Sequence, residues 1–360
     1  MTLRYGILGA GVVVPMHLEG IAALDDVELV GISAPDGAQA LAEEAGTRAF
    51  TRNVELLGLG LDVVVVATPH PSHPALTIEA LATGAHVLVE KPLAVQVREA
   101  DAMIAAADDA GRLLGVCFQQ RFRPVIAAAR GLIAAGRLGG LIRLSIVDPL
   151  YRPNSYYGTA GWRGSWEGEG GGVLMNQAPH TLDLLCHLAG PPSRVWGRAR
   201  RRSQPMEAED TATALLEWEN GAGGTLAVST AEPGVQRIEL VGDRGRIEIV
   251  GESIVFEQFE PSVSEHLGTA PGMFDAPDRV AERVELPAGR GDHVGVHADF
   301  AAALRTGRVS RVPAHGALWS LELANAIVLS THTGEVVTLP VDRDAYAALL
   351  ADLRSGAAAL

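Results

Sequence analysis

Four stretches of the 360-residue sequence carry side chains of the types that move protons or steady a developing charge. In 170–183, Gly-Gly-Gly-Val-Leu-Met-Asn-Gln-Ala-Pro-His-Thr-Leu-Asp, a flexible triple glycine opens onto helix-start signals. Asn176 is the expected cap and Pro179 suits a first turn, with Gly190-Pro191-Pro192 as the stop. The predicted helix, about three turns long, aligns Asn176, His180, Asp183 and His187 at i, i+4, i+7 and i+11. They form a polar stripe, while Leu182, Leu185 and Ala189 form an apolar one. A polar stripe ending at a glycine loop reads as a pocket wall, where an imidazole exchanges a proton near neutral pH. Taken alone, His180 reads equally well as an ordinary surface histidine. The second stretch, Glu90-Lys91-Pro92, sets a lysine at a strand end, before a proline that lacks a backbone donor and is able to take the cis form. In the third, Thr68-Pro69-His70-Pro71-Ser72-His73-Pro74, prolines predict an irregular loop with two histidines able to meet a ligand or simply solvated. The fourth holds Tyr151, Arg152, Tyr156, Tyr157, Trp162, Arg163 and Trp166, although aromatic residues make up only 5% of the chain. Aromatic faces pack on the C–H surfaces of sugar rings while guanidinium and phenol groups bond hydroxyls, so this loop suits a polyol or glycoside, or else a satellite core or subunit contact. His293 and His297 share metal-compatible i, i+4 spacing, but no third ligand lies at a recognisable spacing, so no metal is expected.

The elements that must hold these groups follow from hydrophobic patterning. Apolar runs at 3–8, 27–33, 62–67, 86–89 and 113–118 alternate with helical stretches, which predicts a parallel sheet with crossover helices. The unbroken valine run at 63–66 marks its middle strand, covered on both faces. After the first strand comes Gly9-Ala10-Gly11-Val12-Val13-Val14, a dinucleotide fingerprint with Val14 in place of the third glycine and a helix predicted from Pro15. The second strand ends at Ser33-Ala34-Pro35-Asp36, with Ser33 able to bond either NAD or NADP and Asp36 slightly late for the acid that binds the NAD ribose. Lys91 and the two loop histidines fall at the carboxyl edge of this sheet, where ligands bind.

A boundary is expected at 122/123, before an Ala-rich helix over 124–135. Beyond it, a strand at 141–147 and a run of strands over 195–258, with turns at Asn220-Gly221, Gly242-Asp243 and Gly251, predict an antiparallel sheet. The Pro- and Gly-rich 260–292 reads as a surface excursion or mobile cover. Helical 314–331, a closing strand at 336–339 and a final helix from Asp342 complete the chain.

The net charge of -14 opposes a nucleic-acid partner, and Arg198, Arg200 and Arg202 alternate as one solvated or subunit-facing sheet face. No apolar run approaches membrane-spanning length, and the chain runs from Met1 into a strand without a basic leader. The two cysteines, Cys117 and Cys186, fit a reducing compartment, so a soluble cytoplasmic protein is expected.

Taken in order, Gly9-Ala-Gly11 with His17, Ala67-Thr-Pro-His70, Glu90-Lys-Pro92, Phe118-Gln-Gln-Arg121-Phe and 170–183 resemble the glucose-fructose oxidoreductase and inositol dehydrogenase (Gfo/Idh/MocA) family over nearly the whole chain. The resemblance implies an α/β fold: an N-terminal Rossmann domain (1–122) with a parallel sheet, and a C-terminal α/β domain (123–360) whose large, mostly antiparallel sheet mediates homodimers or homotetramers. It matches Lys91 and His180 to the family's active-site lysine and catalytic histidine, and Asn176 to a slot where many members carry aspartate. His70 stands where asparagine is frequent. The expected cofactor, NAD or NADP, would meet Gly9, Gly11, Val12, Val13, Ser33, Thr68, Pro69, His70, His73, Glu90, Lys91 and Gln120. A carbohydrate or polyol would meet Lys91, Arg121, Tyr151, Tyr157, Trp162, Arg163, Asn176 and His180. The activity implied is hydride transfer to or from a secondary alcohol or ketone of a sugar, glycoside or cyclitol. The alternatives are NAD-dependent glycoside cleavage through transient oxidation, and a non-catalytic sensor that keeps the fold.

Overall fold

The computed structural model describes residues 2–359. They form two compact units: the chain up to Phe122 with Glu167–Gly170 and Arg290–Leu321, and Arg123–Trp166 with Gly171–Gly289 and the chain from Glu322 on. Residues 290–321 therefore pack with the N-terminal unit, so the expected second domain, 123–360, is not one contiguous block. Sequence patterning misses this because a helix carries no mark of which core it packs on.

In the first unit a six-stranded parallel sheet runs in the order β3 (Arg48–Phe50), β2 (Val27–Ser33), β1 (Leu3–Leu8), β4 (Val63–Val66), β5 (His86–Val89), β6 (Leu114–Val116). Val63, Val64, Val65 and Val66 are all 0% exposed, as a central strand covered on both faces requires. Each such burial contributes about 1.5–3 kcal/mol. β3 escapes sequence patterning because its three residues sit at the sheet edge, half-covered. The loop expected at 68–74 is instead a 3-10 turn, His70–Ser72, running into the helix His73–Ala82, because Pro71 and Pro74 occupy first-turn positions where no amide is needed. The Lys91–Pro92 peptide is cis. Asp292 caps the helix His293–Thr306, its carboxylate accepting from the Gly295 amide at 3.2 Å. That helix lies close against the helix Val14–Ala22, since a Cβ on Gly20 would come within 2.5 Å of His297 Cδ2 and 3.1 Å of the His293 carbonyl oxygen.

The second unit is built on a nine-stranded sheet: β14 (Asp278–Glu282), β13 (Ser253–Glu260), β12 (Gly245–Val250), β11 (Arg237–Gly242), β7 (Leu141–Pro149), β10 (Gly223–Ser229), β9 (Thr211–Glu217), β8 (Arg194–Arg200), β15 (Val337–Thr338). Every neighbouring pair is antiparallel except β7 with β10. Burial alternates along β8 and β9, so one face is packed and the other is open. The packed face meets the helix Ala314–Thr333, whose Ser330 hydroxyl accepts from the Gly197 amide at 2.9 Å. A Cβ at Gly197 would collide with Ile327, 2.8 Å from its Cα. The stretch 260–292 is more ordered than a mobile cover: it holds the helix Val263–Thr269, closed by a Ser262–Glu265 capping box, and edge strand β14.

Candidate active site

In the first unit the loop after β1 has the form of a phosphate cradle. Gly9 sits at φ 117°, and a Cβ there would lie 2.1 Å from the Ala67 carbonyl oxygen, so only glycine lets β1 and β4 close at this point. At Gly11 a Cβ would meet no atom within 4 Å, and Val12 is 83% exposed, so the loop is bordered by free space. Val13 precedes the helix Val14–Ala22, with Pro15 in its first turn and Val14 buried on the sheet. Exposed backbone amides at a helix N-terminus after a parallel strand fit a dinucleotide pyrophosphate. Gly37 reaches this loop, its Cβ position 3.6 Å from that of Ala10, and the neighbouring Asp36 is exposed.

Several candidates around the cradle are differently employed. Ser33 is fully buried and its hydroxyl donates to Asn53 Oδ1 at 2.8 Å, so it does not present itself to a ribose. Thr68 is half-buried and accepts from Ser72, with Pro69 exposed beside it. His73 is buried with Nδ1 at 2.8 Å from the Pro92 carbonyl oxygen and Nε2 at 2.9 Å from that of Thr68, bracing the 68–73 turn against the strand end rather than facing a ligand. Burial pushes its pKa down, so the neutral ring donates to one of the two. His70 is also buried, 3.2 Å from the Glu169 carbonyl oxygen. Burial, and after it the charge of Lys91, pushes it down to about 3. It is therefore neutral at physiological pH, a hydrogen-bonding group rather than an acid. Glu90 turns inward: Oε1 accepts from His17 Nε2 at 3.0 Å and His293 Nε2 at 3.2 Å, and Oε2 from the Lys91 amide at 3.1 Å. Burial raises its pKa, but the two histidine hydrogen bonds outweigh this and hold the carboxyl well below the usual range. Arg121, expected at the substrate, is buried and donates to the Arg311 carbonyl oxygen at 2.7 Å, tying 311–316 to the turn Gln119–Phe122. Gln120 on that turn and Lys91 at the end of β5 are half-buried.

In the second unit the segment from Gly171 is held tightly rather than flexibly. The fully buried Glu209 carboxylate accepts from the Gly172 and Leu174 amides, both at 3.0 Å, and the Glu209 carbonyl oxygen from the Val173 amide at 2.8 Å. A Cβ on Gly172 would fall 1.8 Å from that carbonyl oxygen. The helix runs from Pro179 to Ala189 with Ala178 as N-cap, so Asn176 does not cap it but stands in the preceding turn. The expected amphipathic stripe is absent, because Asp183 is fully buried and the helix is covered nearly all round. Thr181, which donates to the Asp148 carboxylate, fastens it to β7. His180 is half-buried on the first turn.

The side chains around Asn176 meet at a phenol. Tyr156 Oη accepts from Asn176 Nδ2 at 3.1 Å, from Gln177 Nε2 at 3.4 Å and from Arg163 Nη1. The Arg163 guanidinium lies over the Tyr156 and Trp162 rings, 4.3 and 4.6 Å from their centroids. Tyr157 is buried, donating to Thr230 Oγ1 at 3.0 Å, and packs edge-on against Tyr156. Tyr151 and Trp162 are exposed. The expected site thus keeps Asn176, Arg163 and Trp162 together and turns Tyr157 into a support. The residues it lacked are Tyr156 and Glu209. Tyr156 was legible as a member of the aromatic loop, whereas nothing in the sequence pairs Glu209 with a glycine loop 37 positions away.

A parallel sheet with a glycine cradle at its carboxyl edge, followed by a mostly antiparallel sheet unit, defines a dinucleotide-binding protein of two-unit α/β architecture. Residues 3–118 match the oxidoreductase family with NAD-binding Rossmann fold, and residues 126–248 match the GFO/IDH/MocA C-terminal domain. The chain belongs to the Gfo/Idh/MocA family, and its first unit is an NAD(P)-binding Rossmann domain. Among curated relatives, 1,5-anhydro-D-fructose reductase of Ensifer adhaerens is 33% identical over 51% of this chain and 55% of its own length. The scyllo-inositol 2-dehydrogenase (NAD(+)) of Bacillus subtilis (strain 168) is 27% identical over 69% of this chain and 73% of its own. The WlbA dehydrogenase of Bordetella pertussis, solved in complex with NADH and UDP-GlcNAcA, superposes with a TM-score of 0.81 at 29% identity, covering 95% of this chain and 100% of that one. The match to the first of these spans just over half of that relative.

Proposed function

We infer that the chain transfers hydride between a bound nicotinamide and a secondary alcohol carbon, or the matching ketone, of a sugar, glycoside or cyclitol. The observation that carries this reading is the wall in the second unit. Within 156–177 an amide and a guanidinium meet at the phenol of Tyr156 and the same guanidinium lies over the indole of Trp162, and an imidazole, His180, follows one turn later. Such a wall offers aromatic faces to C–H groups, N–H donors to hydroxyls and a proton acceptor for one of them. The relatives' names, a reductase and a dehydrogenase of polyhydroxylated substrates, support it.

When bound, the nicotinamide accepts or supplies the hydride. His180 takes the hydroxyl proton on oxidation and returns it on reduction. The Lys91 ammonium steadies negative charge on the reacting oxygen. Asn176 and Arg163 hold neighbouring hydroxyls and Trp162 packs on the ring. The exposed carboxylate of Asp36, beside the glycine cradle, accepts the adenine-ribose hydroxyls, which favours NAD over NADP. Residues 1–122 carry the cofactor and 123–360 most of the substrate contacts. The open face of the second sheet, with Trp196 and Leu215 exposed on it, joins copies into a cytoplasmic homodimer or homotetramer without nucleic-acid or membrane partners. Among the described residues no helix is long and apolar enough to cross a membrane.

The test is a panel of polyols and glycosides followed by nicotinamide absorbance. Lys91→Ala and His180→Ala each lower turnover about 10²–10⁴-fold with the fold intact. Near-normal turnover in either variant overturns the assignment of that residue. Consumption of a glycoside with no net change in absorbance assigns transient oxidation instead.

A further inference from the structure

The first unit buries a group of side chains that hydride transfer does not use. His17 comes from the helix Val14–Ala22, Glu90 from the end of β5, Cys117 from the end of β6, and His293 from the first turn of the helix His293–Thr306. All four are buried, and one ligand atom from each lies within 4.8 Å of all the others. The Glu90 Oε1 separations of 3.0 and 3.2 Å from the two imidazole Nε2 atoms approach the edge of a tetrahedron around zinc, which is about 3.3–3.8 Å for metal–ligand distances of ~2.0–2.3 Å. Cys117 has no disulfide partner.

The spacing of His293 and His297 offered only two ligands. The fold supplies the rest from His17, Glu90 and Cys117, which are 276, 203 and 176 positions before His293, and moves His297 outward, its Nε2 3.0 Å from His17 Nδ1. A contact to the far ring nitrogen is what orients a metal-bound imidazole.

We propose that His17, Glu90, Cys117 and His293 form a closed, structural site for a borderline-soft divalent cation of the zinc type, which staples residues 290–306 to the Rossmann sheet. The donor set is two imidazoles, a carboxylate and a thiolate, a mixture that selects zinc-like ions over calcium or magnesium. Its two negative charges neutralise the dication, so the loaded site is uncharged where all four side chains are buried. On binding, the Cys117 thiol releases its proton to solvent. Bound through Nε2, the His17 and His293 imidazoles carry their N–H on Nδ1, where that of His17 donates to His297. With four protein ligands there is no open position, so the ion supports the end of β5, one residue before Lys91, and does not itself meet substrate. This inference goes beyond the proposed activity and does not depend on it.

The full-length protein, purified without chelator, is expected to hold one zinc ion per chain by elemental analysis. A chelator removes it and lowers the melting temperature, and added zinc restores both. Cobalt(II) in its place gives a near-ultraviolet sulfur-to-metal charge-transfer band, which Cys117→Ser abolishes, while His297→Ala weakens binding about 10–100-fold. Substoichiometric metal after exposure to zinc, with melting insensitive to both zinc and chelator, overturns the proposal and leaves a metal-free hydrogen-bonded cluster. So does cobalt binding without the charge-transfer band, a wild-type measurement that decides the matter even where a variant fails to fold. Loss of turnover with zinc retained would instead count against the hydride-transfer reading alone.

Discussion

Asn176 concentrates the chemistry that distinguishes this chain at the residue scale. Many relatives by resemblance carry aspartate in this slot, whereas here the amide donates to the phenol of Tyr156. Under the proposed role of His180 as base, a neutral amide at 176 gives the protonated imidazole none of the electrostatic support that a carboxylate would give. Asn176→Asp places a negative charge there, stabilises the imidazolium and raises the pKa of His180. The acidic, rising limb of the oxidation rate then moves to higher pH, by roughly one unit for about 1.4 kcal/mol of added interaction. A pH–rate profile checks this, and an unchanged midpoint rejects the coupling. His70 and His73 show the opposite case: their burial was invisible in the sequence, and desolvation removes them from proton transfer at neutral pH.

At the scale of elements, the triple glycine is the informative case. A run of three glycines reads as a flexible loop by composition. In the fold, Gly170 is pressed against Val95, a Cβ there falling 2.1 Å from Val95 Cγ1, and Gly172 against the backbone of Glu209. Gly170 leaves room for a side chain, and Gly172 lets backbone approach backbone. Gly172→Ala forces the turn before Asn176 and His180 apart, and is expected to cost about 1–3 kcal/mol in stability, measured by denaturant titration. It should also reduce turnover, since the displaced segment carries the wall of the proposed site. Gly11→Ala, where a Cβ meets nothing, should leave stability within about 0.5 kcal/mol and act on cofactor binding instead.

For the molecule as a whole, cofactor choice is the property to measure. A ligand that binds only the folded state stabilises it by about 2.7 kcal/mol at a concentration a hundredfold above its dissociation constant. NADH is expected to raise the melting temperature more than NADPH at equal concentration, and Asp36→Ala to narrow the difference. The sequence by itself determined the Rossmann sheet, the glycine cradle, the run of antiparallel strands and the family, because these rest on local signals: unbroken or alternating apolar runs, turn dipeptides and glycines at fixed offsets. Its boundaries for β1, β2 and β5 agree with the strands observed. Only the tertiary structure decided that 290–321 packs with the first unit, that Arg121, Glu90 and Ser33 face inward, that Glu209 holds the glycine turn and that four metal-ligating side chains converge. These are pairings between residues up to 280 positions apart. No period or local propensity records such a partner. It is fixed when helices and strands pack and buried polar groups must find one another.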